Sequence, residues 1–221
     1  MTFDPSRALE DCPLVIFIAY TVGPEAEPNG YSEWLGRIDM PFFNAIPGTH
    51  HYANWRVTDH LRGAKPAWDY FDFQGLESED DLERVWFNPD LDAFRANWIS
   101  LWGYGAGAPP AVSRHAYLMR PLSRPHERPK DRTLLLAGGQ GEPAADPAAH
   151  QIFRVEKILH KHFGSAKGNE PWLTSASDFN PLGLDWLSVA YGTDPVLPDA
   201  AELAMSAKLI AAPDRVVDSS T

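Results

Sequence analysis

One strand-like segment combines His, Tyr, Trp and Arg, side chains that transfer protons or hold charged oxygens. The segment THHYANWRVTD, residues 49–59, alternates two sets of side chains, because successive strand residues point to opposite faces. His51 and Trp55 share one face, and Tyr52 and Arg56 share the other. Histidine suits a general base near neutral pH, and arginine can hold an anionic or enolate oxygen. The segment therefore predicts a pocket beside this strand.

A second polar-aromatic strand follows at AWDYFDFQGL, residues 67–76. Tyr70 and Asp72 lie on one face of it, so the acid sits among aromatic rings. Burying a carboxylate costs free energy unless it is hydrogen-bonded, and burial raises its pKa. The alternative is an exposed strand end, where Asp72 would be an ordinary surface acid.

Three more residues carry titratable groups, two of them on one predicted strand and one on a predicted helix. In the predicted strand at 111–122, His115 and Tyr117 are two residues apart and would point into one cavity. Asp39 falls near the end of a predicted helix, where the helix dipole disfavours a negative charge and raises the pKa. A solvated acid on the helix surface is the alternative interpretation of Asp39.

Hydrophobic periodicity predicts the elements that position these side chains. Apolar or alternating runs predict strands at 14–22, 49–59, 67–76 and 111–122. Helical spacing predicts helices at 31–46 and 78–103, the first disturbed at Pro41 and the second broken near Asn88-Pro89. The order β-α-β-β-α-β is that of a ferredoxin-like unit.

The second half resembles a weaker copy of the first. After a charged, proline-containing linker at 124–132, the pattern predicts strands at 133–139, 172–179, 184–192 and 208–217, with helices at 147–163 and 199–207. The fold class is therefore predicted as α+β, with tandem ferredoxin-like units at 12–123 and 132–218, the second degenerate. The alternative is one unit with an irregular extension over its open sheet face.

Short patterns in the first half carry a family resemblance. They are Tyr31-x-x-Trp34, Asp39-Met40-Pro41, Ile46-Pro47-Gly48 and Phe94-x-x-x-Trp98. Together with the element order, they resemble the dimeric α/β-barrel superfamily, and most of all its EthD-like small proteins.

The resemblance implies that two ferredoxin-like units join their sheets into a barrel, each with a pocket between its own sheet and helices. Members of the superfamily include cofactor-free monooxygenases, lactone isomerases, polyketide cyclases and haem enzymes, so the fold alone does not determine the function. Many relatives have His-x-Pro where this chain has Asp39-Met40-Pro41. A carboxylate would then replace the histidine as the base.

The composition argues against some classes of binding partner. A net charge of −11 over 221 residues argues against nucleic acid and anionic lipid as partners, and no apolar run is long enough to span a bilayer. The start of the chain lacks the pattern of a secretory signal, and the single cysteine, Cys12, cannot form an internal disulfide. These features predict a cytoplasmic protein.

The sequence favours a cofactor-independent enzyme, of the lyase, isomerase or cyclase type, acting on a small aromatic or polyketide-like compound by general acid–base chemistry. A cofactor-free monooxygenase and a non-catalytic small-molecule-binding accessory protein are the alternatives. No metal or cofactor is predicted, and the chain would be a monomer with an internal pseudo-dimer or a homodimer. The predicted catalytic residues are His51, His115, Asp39 and Tyr117. The predicted substrate-binding residues are Tyr52, Trp55, Arg56, Tyr70, Asp72, Trp98 and Trp102.

Overall fold

A computed structural model of the protein shows an α+β fold built around one antiparallel β-barrel. The structure describes residues 8–63, 68–88, 90–103, 114–124, 132–143, 150–159, 173–176, 180, 182–192, 196–213 and 215–216. Its strands are β1 Leu14–Tyr20, β2 Thr49–Arg62, β3 Tyr70–Leu76, β4 Arg114–Pro121, β5 Thr133–Gly139, β6 His150–Leu159, β7 Leu173–Ser175, β8 Trp186–Tyr191, β9 Leu203–Ala212 and β10 Arg215–Val216.

Eight of these strands close a ring within the single chain. Their order is β9-β2-β3-β1-β4-β6-β8-β5, and β5 pairs again with β9. Every pairing is antiparallel, and β7 and β10 add to the edges of β6 and β9. The barrel therefore needs no second chain to complete its hydrogen bonding.

Helices cover the outer face of the first-half strands. The first helical segment consists of α1 Tyr31–Trp34, a π-helical turn Leu35–Asp39 and α2 Met40–Asn44. The second consists of a 3-10 turn Glu79–Asp81, α3 Leu82–Val85, α4 Asp90–Trp98 and a π-helical turn Ile99–Gly103. Within the described part of the second half, no helix is present.

Alternation along the strands creates two apolar layers. On β1, Val15 and Phe17 face the barrel interior, whereas Ile16 and Ile18 face the helices. Both faces are buried, which explains why LVIFIAY is continuously apolar rather than alternating. The layer between the sheet and the helices is where a pocket can form.

The predicted elements of the first half are confirmed. The strands pair in the order β4-β1-β3-β2, which is the order of a ferredoxin-like sheet. The disturbance expected at Pro41 takes the form of the π-helical turn that precedes α2, and the break expected near Asn88-Pro89 separates α3 from α4. The backbone of Ser78 begins the second segment, and its N–H and Oγ both contact the Asp81 carboxylate.

The helix predicted at 147–163 is wrong, because residues 150–159 form strand β6. The register against β4 shifts between Leu118 and Met119, so that β6 carries one extra residue there. This bulge brings Phe153, Val155 and Ile158 to the barrel interior. The three-residue step from Val155 to Ile158, together with the burial of Ile152 and Leu159, imitates a helical period.

The helix predicted at 199–207 is also wrong, because β9 begins at Leu203. Its Ala, Met and Leu residues favour helices on their own, but pairing with β2 and β5 overrides this weak preference. The predicted strands at β5 and β8 are confirmed. Of the candidate at 172–179, the structure describes residues 173–176, and these include strand β7. The residues between 124 and 132 that we predict as a linker lie outside the described part, except at its two ends.

Asn44 links the first helical segment to β2, and its replacement should destabilise the protein. Its Nδ2 donates to the carbonyls of Met40 and Tyr52, and its Oδ1 accepts from the Tyr52 N–H, each at 2.9 Å. We predict that Asn44→Ala lowers the free energy of unfolding by about 2–3 kcal/mol, because buried backbone groups lose their partners. Urea denaturation measures this change.

The matched control is Asn29→Ala, at an exposed position of the loop before α1. It should change the free energy of unfolding by no more than about 0.5 kcal/mol. Equal effects of the two substitutions would contradict the linking role of Asn44.

Candidate functional site

Two buried carboxyl groups meet between the sheet and the helices. Asp39 comes from the π-helical turn and Asp72 from the centre of β3, and each is only 4% exposed. The Tyr52 hydroxyl oxygen lies 2.9 Å from Oδ2 of Asp39 and 2.9 Å from Oδ2 of Asp72. Asn54 donates from Nδ2 to Oδ2 of Asp39 at 3.0 Å and to Oδ1 of Asp72 at 2.8 Å. One phenol and one amide thus bridge the two acids.

The register of the sheet explains this meeting. Tyr52 and Asn54 are two residues apart on β2, so both point toward the helices. Asn54 lies directly opposite Asp72 in the β2–β3 pairing. The backbone therefore fixes three of the four groups on one face of the sheet, and only Asp39 arrives from a helix.

The bridge limits the protonation of the pair. A tyrosine hydroxyl has one hydrogen, so Tyr52 can donate to only one of the two carboxyl groups. The second contact is a hydrogen bond only if the other carboxyl group is protonated and donates to the phenol oxygen. The geometry is therefore satisfied when Asp39 and Asp72 share one proton.

The pKa of Asp72 agrees with a shared proton. Burial raises this pKa to about 8, and the negative charge of Asp39 raises it in the same direction. Hydrogen bonds from Asn54, Tyr52 and Tyr20 oppose the rise, the last across 3.1 Å to Oδ1. The raised pKa therefore agrees with a pair that keeps one proton at neutral pH. Burial, followed by the charges of Asp39 and Asp72, raises the pKa of Tyr52 well above its usual value, so the phenol keeps its proton.

A pocket opens onto the acid pair. It is a small cavity of about 40 Å³ that is partly open to solvent. Aromatic rings form much of its wall, and Arg95 is the cationic residue among those that line it. The lining residues are Ile18, Tyr20, Asp39, Phe43, Tyr52, Asp72, Phe94, Arg95 and Trp98. The site combines an acid–base pair, flat apolar walls and one guanidinium.

The π-helical turn directs Asp39 into this pocket. The Met40 N–H donates to the Leu35 carbonyl five residues earlier, so the turn holds one residue more than an α-helical turn. Pro41 follows and has no N–H to donate, which suits an interrupted helix. Single π-helical turns are frequent at functional sites.

Arg56 and Tyr70, both predicted to bind substrate, contact the Glu27 carboxylate. Arg56 donates to Oε1 and Tyr70 to Oε2, each at 2.8 Å, and Ser32 donates to the same carboxylate. Neither residue is among those that line the pocket. Their network ties the loop before α1 to β2 and β3.

Four predicted residues are on the opposite face of the sheet. Trp55 and Tyr117 belong to the apolar cluster of the barrel interior, where Tyr117 accepts from the Leu182 N–H at 3.1 Å. His115 pairs with Ala19, an interior-facing position, and burial lowers its pKa. His51 pairs with Gly75 on the same side of the sheet. The structure does not bring these side chains to the acid pair.

Two predicted tryptophans lie near the pocket in different roles. Trp98 lines it and donates from Nε1 to the Tyr31 hydroxyl at 3.0 Å. Trp102 packs behind it, with its ring centroid 5.3 Å from that of Tyr31 and 5.8 Å from that of Trp34.

Sequence reasoning did not select Asn54, Tyr20, Phe43, Phe94 or Arg95 for the site. Asn54 had a usable signal, since it follows Tyr52 by two residues on one strand face. The other four become site residues only through helix packing and through the pairing of β1 with β3, which the sequence pattern does not specify.

Across the described ranges, no three His, Cys, Asp or Glu side chains come together in a group that could hold a metal ion. In the same part of the chain, no helix reaches the length and apolar character that a bilayer crossing requires.

Comparison with known proteins supports the class of fold. Residues 14–101 match the family model described as REDY-like protein HapK. The match confirms the resemblance to the dimeric α/β-barrel superfamily, and it falls in the half of the chain that carries the acid pair. The nearer likeness to EthD-like proteins stays a prediction.

Among solved structures, the chain is similar to the crystal structure of a candidate chlorite dismutase. The identity is 10% and the TM-score is 0.40, with 89% of this chain and 94% of the other covered. This likeness is too low to support an argument about activity. A search among curated proteins found no match.

The raised pKa of Asp72 predicts how stability depends on pH. The folded protein binds a proton at Asp72 up to about pH 8, whereas the unfolded chain loses it near its ordinary pKa of about 3.9. The contribution of Asp72 to the free energy of unfolding is therefore complete below about pH 4 and falls as the pH rises toward 8. The slope reaches at most about 1.4 kcal/mol per pH unit.

Asp72→Asn removes this titration while it keeps the shape of the side chain. We predict that wild type loses stability relative to Asp72→Asn as the pH rises from about 5 to about 8. Urea denaturation of both proteins across this range measures the difference. A difference that does not change with pH would contradict the assignment.

Proposed function

We propose that the protein is an enzyme that moves protons on a small aromatic or polyketide-like carbonyl compound, as a lyase, isomerase or cyclase without a cofactor. The observation that carries this proposal is the pair Asp39 and Asp72, bridged by Tyr52 and Asn54 at the wall of a pocket. Buried acids with shifted pKa values occur at catalytic sites more often than elsewhere.

In the proposed step, the Asp39 carboxylate removes a proton from the carbon next to the substrate carbonyl. The C–H bond breaks, an O–H bond forms on Asp39, and the electron pair moves onto the carbonyl oxygen. Protonated Asp72 then returns a proton to a carbon or oxygen of the intermediate, and Tyr52 passes a proton between the two acids. The pair thus supplies base and acid together, as proton transfer at neutral pH requires.

The walls of the pocket favour a flat substrate. Phe43 stacks on Tyr52 with ring centroids 4.6 Å apart and meets Phe94 edge to face at 5.4 Å. Planar molecules bury well against such rings. A cytoplasmic location and the aromatic substrate remain predictions.

The test is turnover of a panel of aromatic, lactone and polyketide-like carbonyl compounds by purified protein, with and without oxygen. We predict oxygen-independent turnover that Asp39→Asn and Asp72→Asn each reduce by about a hundredfold or more. Tyr52→Phe should also lower the rate, because it removes the proton that links the acids.

The matched controls are His51→Gln and His115→Gln, since both histidines lie on the opposite face of the sheet. We predict that each changes the rate by less than about threefold. A large loss in the histidine variants with normal rates in the aspartate variants would contradict the proposal. Turnover only with oxygen would assign a monooxygenase, and binding without product would assign an accessory protein.

We also propose that the chain is a tandem of two ferredoxin-like units that forms a pseudo-dimer. In support, the second-half strands pair in the order β9-β5-β8-β6, which repeats the first-half order β4-β1-β3-β2. The two halves are joined by the pairings of β2 with β9 and of β6 with β4, and these pairings also correspond. Val57 pairs with Ala207, and at the equivalent position Val155 pairs with Met119. The boundaries 12–123 and 132–218 remain those predicted from the sequence.

A barrel that closes within one chain predicts a monomer. We expect light scattering coupled to size-exclusion chromatography to give about the chain mass of 24.6 kDa at micromolar concentration. All strand edges of the ring are paired internally, so a dimer is not needed to complete it. A stable mass of twice this value would contradict the monomer.

A further inference from the structure

Arg95 is a buried cation in the wall of the pocket, and the acid–base chemistry proposed above does not use it. It lies on α4, is 5% exposed, and lines the same pocket as Asp39 and Asp72. The charge of Arg95 therefore lies on the same cavity as the two acids, where it acts on whatever the pocket binds.

Contacts with Trp86 hold the guanidinium in place. Nη2 donates to the Trp86 carbonyl at 2.6 Å, and the guanidinium carbon lies 5.2 Å from the centroid of the Trp86 ring. Nη1 is 3.6 Å from Oδ1 of Asp92, a side chain that is 42% exposed. The position of the cation is therefore fixed by the protein before a ligand binds.

Groups of opposite charge line the same pocket. The acid pair carries a net negative charge when it shares one proton, and Arg95 carries a positive charge on the same cavity. When a substrate gives a proton to the acid pair, the substrate becomes negatively charged, and this charge moves onto one of the substrate's oxygen atoms. A guanidinium near that oxygen stabilises the charged form more than the neutral one.

We infer that Arg95 determines specificity by binding a negatively charged oxygen on a planar substrate, either a carboxylate or the enolate oxygen formed during reaction. This inference rests on the proposed function, because it assigns the substrate class of the same site. The substrate would lie between Phe94 and Trp98, with its acidic carbon toward Asp39 and its oxygen toward Arg95.

Benzoate and benzamide are a matched pair of probes, alike in shape and different in charge, and neither has a carbon acid that the site could turn over. Their dissociation constants can be measured by quenching of tryptophan fluorescence at neutral pH. We expect wild type to bind benzoate about tenfold more tightly than benzamide, the difference typical of one charge-assisted contact.

Arg95→Gln should reduce this preference to less than about threefold, while benzamide binding stays within about threefold of wild type. Arg95→Lys should retain part of the preference, because it keeps the charge without the planar fork. Arg37→Gln is the control, since Arg37 is exposed and pairs with Glu33 at the surface. It should bind both probes as wild type does.

Three results would overturn the inference. They are equal affinity of wild type for the two probes, no benzoate binding at millimolar concentration, and an unchanged preference in Arg95→Gln. If Arg95→Gln binds neither probe, Arg95→Lys decides, and loss of its benzoate preference also overturns the inference. Failure of the proposed function is distinct, because it appears as turnover unaffected by Asp39→Asn and Asp72→Asn.

Discussion

Two carboxyl groups in one buried pocket cannot both be charged at low cost, and much of the first half of the chain is arranged around this constraint. Tyr52 and Asn54 supply the hydrogen bonds that hold the pair, and β2 presents both on one face because they are two residues apart. The extra residue of the π-helical turn places Asp39 against them. Asn44 fixes that helical segment to the backbone of Tyr52. The polar-aromatic composition of β2 follows from this arrangement.

The two halves share one strand order, yet within the described residues of the second half no acid pair lies at the equivalent place. In the proposed duplication, Ser188 occupies the position of Asp72, because it pairs with Ala137 and Ile152 as Asp72 pairs with Ile18 and Asn54. Neither Ser188 nor Ile152 can take part in a carboxyl pair. The second half thus closes the barrel, whereas the chemistry that we propose lies in the first half. Duplication of this kind lets one sheet lose its site while the ring of hydrogen bonds is kept.

The sequence was sufficient to predict the helices and strands of the first half but not those of the second, for a physical reason. Continuous apolar runs and the Pro-Gly break defined β1, the first helical segment and β2. In β6, a bulge shifted the inward positions to a spacing that imitates a helix, and in β9 strand pairing overrode the helix preference of Ala and Met.

The residues of the site could also be predicted only in part from the sequence. The structure brings together Asp39, Tyr52 and Asp72, three of the residues predicted from the sequence, at the wall of one pocket. The histidines were assigned with them because alternation shows which residues share a face but not which face the helices cover. Arg95 was missed because its burial depends on how α4 packs against the sheet.

The most direct test of the account is the protonation state of Asp72. Infrared difference spectra between wild type and Asp72→Asn report a protonated carboxyl group through its carbonyl band, which a carboxylate lacks. We expect this band in wild type at about pH 6 and its loss as the pH rises through about 8. A carboxylate signal from Asp72 already at about pH 6 would show that Asp72 does not hold the proton of the pair and would contradict the roles proposed for the two acids.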